Sequence, residues 1–99
     1  MEEGDILVVG SDGLWDNLFK SQIVKFITQF LRGSNMELRD PALVAEQLAL
    51  KAERLSYVES YNSPFAKSAR DSNYSYIGGK PDDITVIVAQ VNLKVSKNQ

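Results

Sequence analysis

The chain has 99 residues, 43% hydrophobic and 24% charged, an ordinary globular balance with room for one domain at most. A formal net charge of -2 offers no basic face for nucleic acid, and the apolar runs are far short of the roughly 20 residues that span a membrane. Cysteine and histidine are both absent, which excludes disulfides, thiolate and imidazole metal sites, Cys nucleophiles and Ser-His pairs, so any hydrolysis rests on carboxylates, hydroxyls, Lys or Arg and on hard cations such as Mg²⁺ or Mn²⁺.

Along the chain, Ile6-Leu7-Val8-Val9 is a continuous apolar, β-branched run between the turn signals Glu3-Gly4-Asp5 and Asp12-Gly13. That pattern predicts a short strand buried on both faces. Ser21 is placed to cap a helix whose apolar stripe is Ile23, Phe26, Ile27, Phe30 and Leu31, with Gly33 as its stop. Asp40-Pro41 opens a longer helix, Asp40 as N-cap and Pro41 at the first helical position. Its apolar face runs through Leu43, Val44, Gln47, Leu48, Leu50, Ala52 and Leu55 and ends near Tyr57. Ser63-Pro64 repeats the start signal for a short helix through Ala69, and Arg70 to Pro81 reads as a long polar loop. Residues Ile84 to Val91 form a second strand, and Pro81 bars a helix just before it. The two main strands pair either in parallel through a crossover or antiparallel. In the antiparallel case the end of the first strand lies beside the start of the second, and Asp12 and Asp82 project from the same sheet edge.

Two carboxylates on one edge suit Mg²⁺ or Mn²⁺, since Mg²⁺ takes one or two protein carboxylates and fills its sphere with water. The plain alternative is that Asp-Gly after a strand is a turn and that Asp82-Asp83 is a solvated loop. Ser11 has no base beside it to make it a nucleophile. Trp15 and Phe19 read as core anchors, and Asp16 as a residue that caps or orients the turn after Gly13. Gly78-Gly79-Lys80 lacks the spacing of a Walker phosphate loop.

The stretch from Gly4 to Asn17, GDILVVGSDGLWDN, closely resembles a signature of protein phosphatase 2C, and so does Gly78 to Val88, GGKPDDITVIV. The two stand in the family's order with helical sequence between them. Tyr61 to Ala69, YNSPFAKSA, resembles the branch that includes organellar phosphatases related to the T-cell activation phosphatase. The resemblance implies an α+β fold, the C-terminal portion of a β-sandwich flanked by helices in an α-β-β-α arrangement. It also implies Mn²⁺- or Mg²⁺-dependent hydrolysis of phosphoserine and phosphothreonine in proteins, with no phosphoenzyme. Matched position by position, Asp12 and Asp82 are ligands of one metal, and Asp83 stands where the family often has Asn. The family's upstream Asp-Gly-His-Gly-Gly motif and its phosphate-holding Arg have no counterpart in residues 1–99. Residues 1–99 are therefore expected to be a partial catalytic domain, with negligible activity unless the N-terminal part of the domain is supplied. The substrate is expected to be a phosphoprotein, with neither nucleic acid nor a membrane as partner. The organellar branch implies an intracellular setting in mitochondrion or plastid, with any targeting segment upstream of Met1. A non-catalytic interaction module derived from a phosphatase is the other reading, because a half-domain leaves strand edges and an apolar face for partners. A haloacid-dehalogenase-type phosphatase ranks below both, since the nucleophilic Asp pair that it needs is missing.

Overall fold

The computed structural model describes residues 1–92. In chain order the elements are β1 (Ile6–Gly10), α1 (Asp12–Trp15), α2 (Lys20–Thr28), β2 (Leu31–Arg32), β3 (Glu37–Leu38), α3 (Pro41–Ser56), α4 (Pro64–Asp71) and β4 (Val86–Gln90). The expected α+β class with two main strands and intervening helices is what the chain adopts. Those strands pair antiparallel, from Ile6 opposite Gln90 to Gly10 opposite Val86.

That register sorts the side chains into two faces, because successive strand residues alternate sides. Ile6, Val8, Val86 and Val88 turn toward α3 and join a core of Leu14, Leu18, Ile23, Ile27, Leu38, Val44, Leu48 and Ala52. On the other face Leu7, Val9 and Ile87 are 40%, 60% and 58% exposed. The strand expected to be buried on both faces is therefore covered on one. Among the described residues the only other sheet is the two-residue hairpin β2–β3, and it does not cover this face. A sheet this small needs a helix or further strands across its apolar side, and α3 supplies that for one face.

α3 begins as its sequence dictates. Asp40 accepts a hydrogen bond from the Leu43 N–H at 3.1 Å, and Pro41 occupies the first turn, where a missing N–H costs nothing. Its buried stripe is Val44, Leu48, Ala52 and Ser56, a strict fourfold spacing. Leu43 and Leu50, counted in the apolar face from sequence, are 41% and 42% exposed, because the contact is narrower than the stripe of apolar residues. α4 starts at Pro64 with Ser63 as cap, its Oγ accepting from the Ala66 N–H at 3.0 Å. It runs two residues past Ala69, to Asp71, and so shortens the expected loop.

α2 departs from expectation at both ends. Its N-cap is Phe19, with Ser21 exposed in the first turn. The capping acceptor is instead Gln22, whose Oε1 takes the Phe19 N–H at 2.7 Å, the backward-reaching half of a capping box. The helix ends at Thr28, where Gln29 and Phe30 close the last turn with tighter three-residue bonds to Phe26 and Ile27. Gly33 is not its stop. It lies in the turn between β2 and β3 at φ +75°, a left-handed conformation that favours glycine. Among the described residues no helix is long and apolar enough to cross a membrane.

Candidate metal centre

Antiparallel pairing settles the choice that the sequence left open and brings the end of β1 against the approach to β4. Ser11 joins the two past the last ladder pair. Its N–H donates to the Thr85 carbonyl at 3.0 Å, its Oγ donates to the Asp83 carbonyl at 3.0 Å, and the same Oγ accepts from the Thr85 N–H at 2.9 Å. A hydroxyl used in this way is a latch, in keeping with its lack of a base. β4 is correspondingly shorter than expected, with Asp83 and Thr85 held by Ser11 ahead of the ladder.

Gly13 explains how closely the segments meet. A Cβ at this position would collide with the Asp83 carbonyl oxygen and lie 2.7 Å from Ile84 Cγ1. Only glycine lets the backbone after Asp12 lie flat on the backbone after Asp82. Asn17 then locks the seam. Its side chain is fully buried, with Nδ2 donating to the Gly13 and Lys80 carbonyls, both at 2.9 Å, and Oδ1 accepting the Lys80 N–H at 2.8 Å. One amide thus pins the Asp12 turn to the Gly78–Asp82 segment by three bonds.

A second tier holds this seam from outside. The Tyr61 hydroxyl donates to the Asn17 carbonyl at 2.6 Å, and the Phe65 N–H donates to the Asp16 carbonyl at 3.1 Å. Buried Ser63 donates from Oγ to the Gly78 carbonyl at 2.6 Å. Gly79 lies flat on the end of α3, where a Cβ would collide with the Leu55 carbonyl oxygen. Trp15, read from sequence as a core anchor, is 39% exposed and lies outside the core; it is held by its Nε1–H, which donates to the Gly10 carbonyl at 2.9 Å.

Asp12 and Asp82 are both exposed at this end of the ribbon. The Asp12 carboxylate makes no hydrogen bond among the described residues, and Asp82 Oδ1 accepts the Asp83 N–H at 2.8 Å. Asp83 contributes through its backbone, as a donor to Asp82 and an acceptor from Ser11. The half-buried Asp16 carboxyl lies within the field of both. Burial raises its pKa above the ordinary 3.8, Lys80 opposes that, and the charges of Asp12 and Asp82 raise it further. The Tyr61 hydroxyl is likewise pushed up by burial, against a smaller opposing effect of its bond to Gln22.

The donors here are hard carboxylate oxygens facing water, which fits Mg²⁺ or Mn²⁺ and not a soft metal. Among the described residues no group of three or more His, Cys, Asp or Glu is placed to hold a metal ion. Two carboxylates are within what Mg²⁺ accepts from a protein, so the fit is to part of a coordination sphere. Of the residues that build the seam, Gly13 is legible from sequence as a glycine that permits a sharp turn and a close approach, whereas Asn17 and Lys80 carry no assigned role. Asn17 had a signal, as a polar side chain beside the apolar pair Leu14 and Leu18 in the same short helical stretch. Its partner Lys80, 63 positions away, had none.

The family model described as protein phosphatase 2C matches residues 1–58. The chain is 40% identical over 99 residues to a protein of Drosophila grimshawi named protein phosphatase PTC7 homolog fig, covering 99% of this chain and 32% of that one. It is 35% identical over 88 residues to probable protein phosphatase 2C 55 of Arabidopsis thaliana, covering 89% of this chain and 18% of that one. Among solved structures it resembles the photosystem II phosphatase PBCP, at 36% identity and a TM-score of 0.74 over 93% of this chain and 38% of that one. The chain therefore spans no more than about a third of the length of the curated relatives it matches. Family, fold and the two signature segments agree: the chain belongs to the protein phosphatase 2C family and corresponds to the C-terminal part of its domain.

Proposed function

We propose that residues 1–99 form a partial catalytic domain of a Mn²⁺- or Mg²⁺-dependent phosphatase that hydrolyses phosphoserine and phosphothreonine in proteins, with Asp12 and Asp82 holding one of its cations. The observation that supports this reading most is the seam at Gly13 and Asn17, where one glycine and one amide press the two carboxylate-bearing segments together. When bound, a divalent cation supplies Lewis-acid polarisation of the phosphoryl group. The residues around the seam position the ligands: Ser11 fixes the backbone of Asp83, and Asn17 fixes that of Lys80, two residues before Asp82. The phosphate clamp and the remaining ligands belong to the N-terminal part of a complete domain, so the chain alone turns over phosphopeptide negligibly. A mitochondrial or plastid setting is part of the proposal, supported by the likeness to a photosystem II phosphatase.

Calorimetric titration with Mn²⁺ tests the site. Weak binding is expected for the chain and is lost in both Asp12→Ala and Asp82→Ala. Identical titrations for all three proteins would remove the metal reading, and brisk Mn²⁺-dependent phosphopeptide turnover by the chain would remove the requirement for the rest of the domain. The bare face of Leu7, Val9 and Ile87 supports the second reading, an interaction module. Size-exclusion chromatography separates the two, because a compact monomer at all concentrations argues against a sticky face.

A further inference from the structure

Lys80 combines three properties that a structural lysine does not need. Its backbone is fixed from both sides, N–H and carbonyl both bonded to the buried Asn17 amide at 2.8 and 2.9 Å. Its Nζ stands 4.9 Å from the centroid of the Phe65 ring, whose own backbone is tied to Asp16. It forms no ion pair with any described residue, although Asp82 is two positions away and the charge of Asp16 responds to it. An ammonium resting on an aromatic face keeps its charge while losing mobility of its stem. The rim beside it carries Asp12, Asp16 and Asp82, a field that repels a phosphate dianion.

We propose that Lys80 is a phosphate-docking residue whose ammonium, held over Phe65 and anchored through Asn17, receives phosphoryl oxygens of the substrate at the Asp12–Asp82 rim. The inference rests on the phosphatase reading for the identity of that substrate, while the cation itself stands on the seam geometry. The bland alternative makes Lys80 a counter-charge for Asp16. The two differ in what happens when phosphate is added. A docking cation binds it, and a counter-charge changes only the titration of Asp16.

The test is a titration of the full chain with inorganic phosphate, with and without Mg²⁺, followed by ¹⁵N–¹H correlation spectra at the amides of Gly13, Lys80 and Asp82. Wild-type chain is expected to show a saturable response. Lys80→Met, which keeps the stem over Phe65, is expected to bind phosphate about fivefold more weakly, and Lys80→Arg about as tightly as wild type, because the charge is what matters at a half-exposed site. Mg²⁺ binding in Lys80→Met is expected to be unchanged or tighter, since a like charge has been removed from the rim. Equal phosphate affinity in wild type and Lys80→Met overturns the proposal, as does a wild-type chain that shows no saturable phosphate response in either condition. Lys80-dependent phosphate binding in a chain that ignores Mg²⁺ sinks the metal reading and leaves this one standing. Mg²⁺ binding with a phosphate response indifferent to Lys80 does the reverse. Should Lys80→Met fail to fold, protection of Lys80 from reductive methylation by phosphate reads the same contact in unaltered chain, and absence of protection overturns it.

Discussion

Two side-chain amides tie opposite ends of the β1–β4 ribbon, and each makes three bonds. At the Asp12 end Asn17 bonds the Gly13 and Lys80 backbones. At the other end Gln90 Nε2 donates to the Gly4 and Met36 carbonyls, both at 3.1 Å, and its Oε1 accepts the Leu38 N–H at 2.7 Å. The inventories match and the surroundings do not. Asn17 is wholly buried, whereas Gln90 lines an open cleft of about 690 Å³ with Gly4, Glu37, Arg39 and Asn92. Water can replace the Gln90 amide and cannot replace that of Asn17, so the same bond count carries different costs when cut. The candidate site is therefore the rigid end of the ribbon, and the hairpin end the forgiving one.

Cutting each amide breaks or confirms that contrast with the largest effect available. Asn17→Ala strands one N–H and two carbonyls in a closed seam and is expected to cost about 3–4 kcal/mol, while Gln90→Ala costs about 1 kcal/mol because solvent reaches its partners. Urea denaturation of both variants measures the difference. Domains of this size hold only about 5–15 kcal/mol in total, so Asn17→Ala should also lower the melting temperature sharply. Equal losses would mean that the seam is no drier than the cleft.

The glycines sharpen the same comparison at smaller cost. Gly13→Ala drives a methyl group into the Asp83 backbone, which has no flexible end to yield. A cost of about 2–3 kcal/mol is expected, together with weakened Mn²⁺ binding as Asp82 is pushed away from Asp12. At the hairpin end Gly33→Ala meets nothing within 4 Å and suffers only from its φ of +75°. About 1 kcal/mol is expected there, with Mn²⁺ binding untouched. A Gly13→Ala chain that keeps wild-type affinity for Mn²⁺ would separate the close approach from the metal.

How far the sequence shows this depends on whether the determinant is local. The caps of α3 and α4 were legible, because Asp40-Pro41 and Ser63-Pro64 carry their own reason within three residues. Both main strands were legible from β-branched runs, and the antiparallel alternative already placed Asp12 beside Asp82. The hairpin was not, since two-residue strands have no alternation to read, and Phe30 and Leu31 continue the helical stripe of α2 past its end at Thr28. Burial of β1 on both faces was misread because an Ile-Leu-Val-Val run records what a strand can cover, not what covers it. The seam escaped for another reason. Nothing local pairs Asn17 with Lys80 until the fold brings them to 2.8 Å, and Gly13, legible as a glycine that permits close approach, does not reveal that Asp83 is what lies against it.

The last and smallest effect concerns the acid at the centre of the rigid end. The Asp16 carboxyl has its pKa raised above the ordinary 3.8, first by burial and then by Asp12 and Asp82, with Lys80 opposing. A raised value means that the folded state disfavours the charged form. The contribution of Asp16 to stability is thus fully present below its unfolded value and is lost as pH rises through the folded one. Asp16→Asn should match wild type in strong acid and become the more stable chain above the usual carboxylate range, while its backbone carbonyl still accepts the Phe65 N–H. Lys80→Met removes the opposing charge, so its stability should fall more steeply over the same pH interval. Mg²⁺ bound at Asp12 and Asp82 would cancel the two charges that act with burial, and the difference between wild type and Asp16→Asn should shrink when it is added. Chemical denaturation across that interval, with and without Mg²⁺, reads all three. Parallel profiles for wild type and Asp16→Asn would show that Asp16 does not sense the rim, and a difference indifferent to Mg²⁺ would show that the cation, if it binds this chain, binds elsewhere.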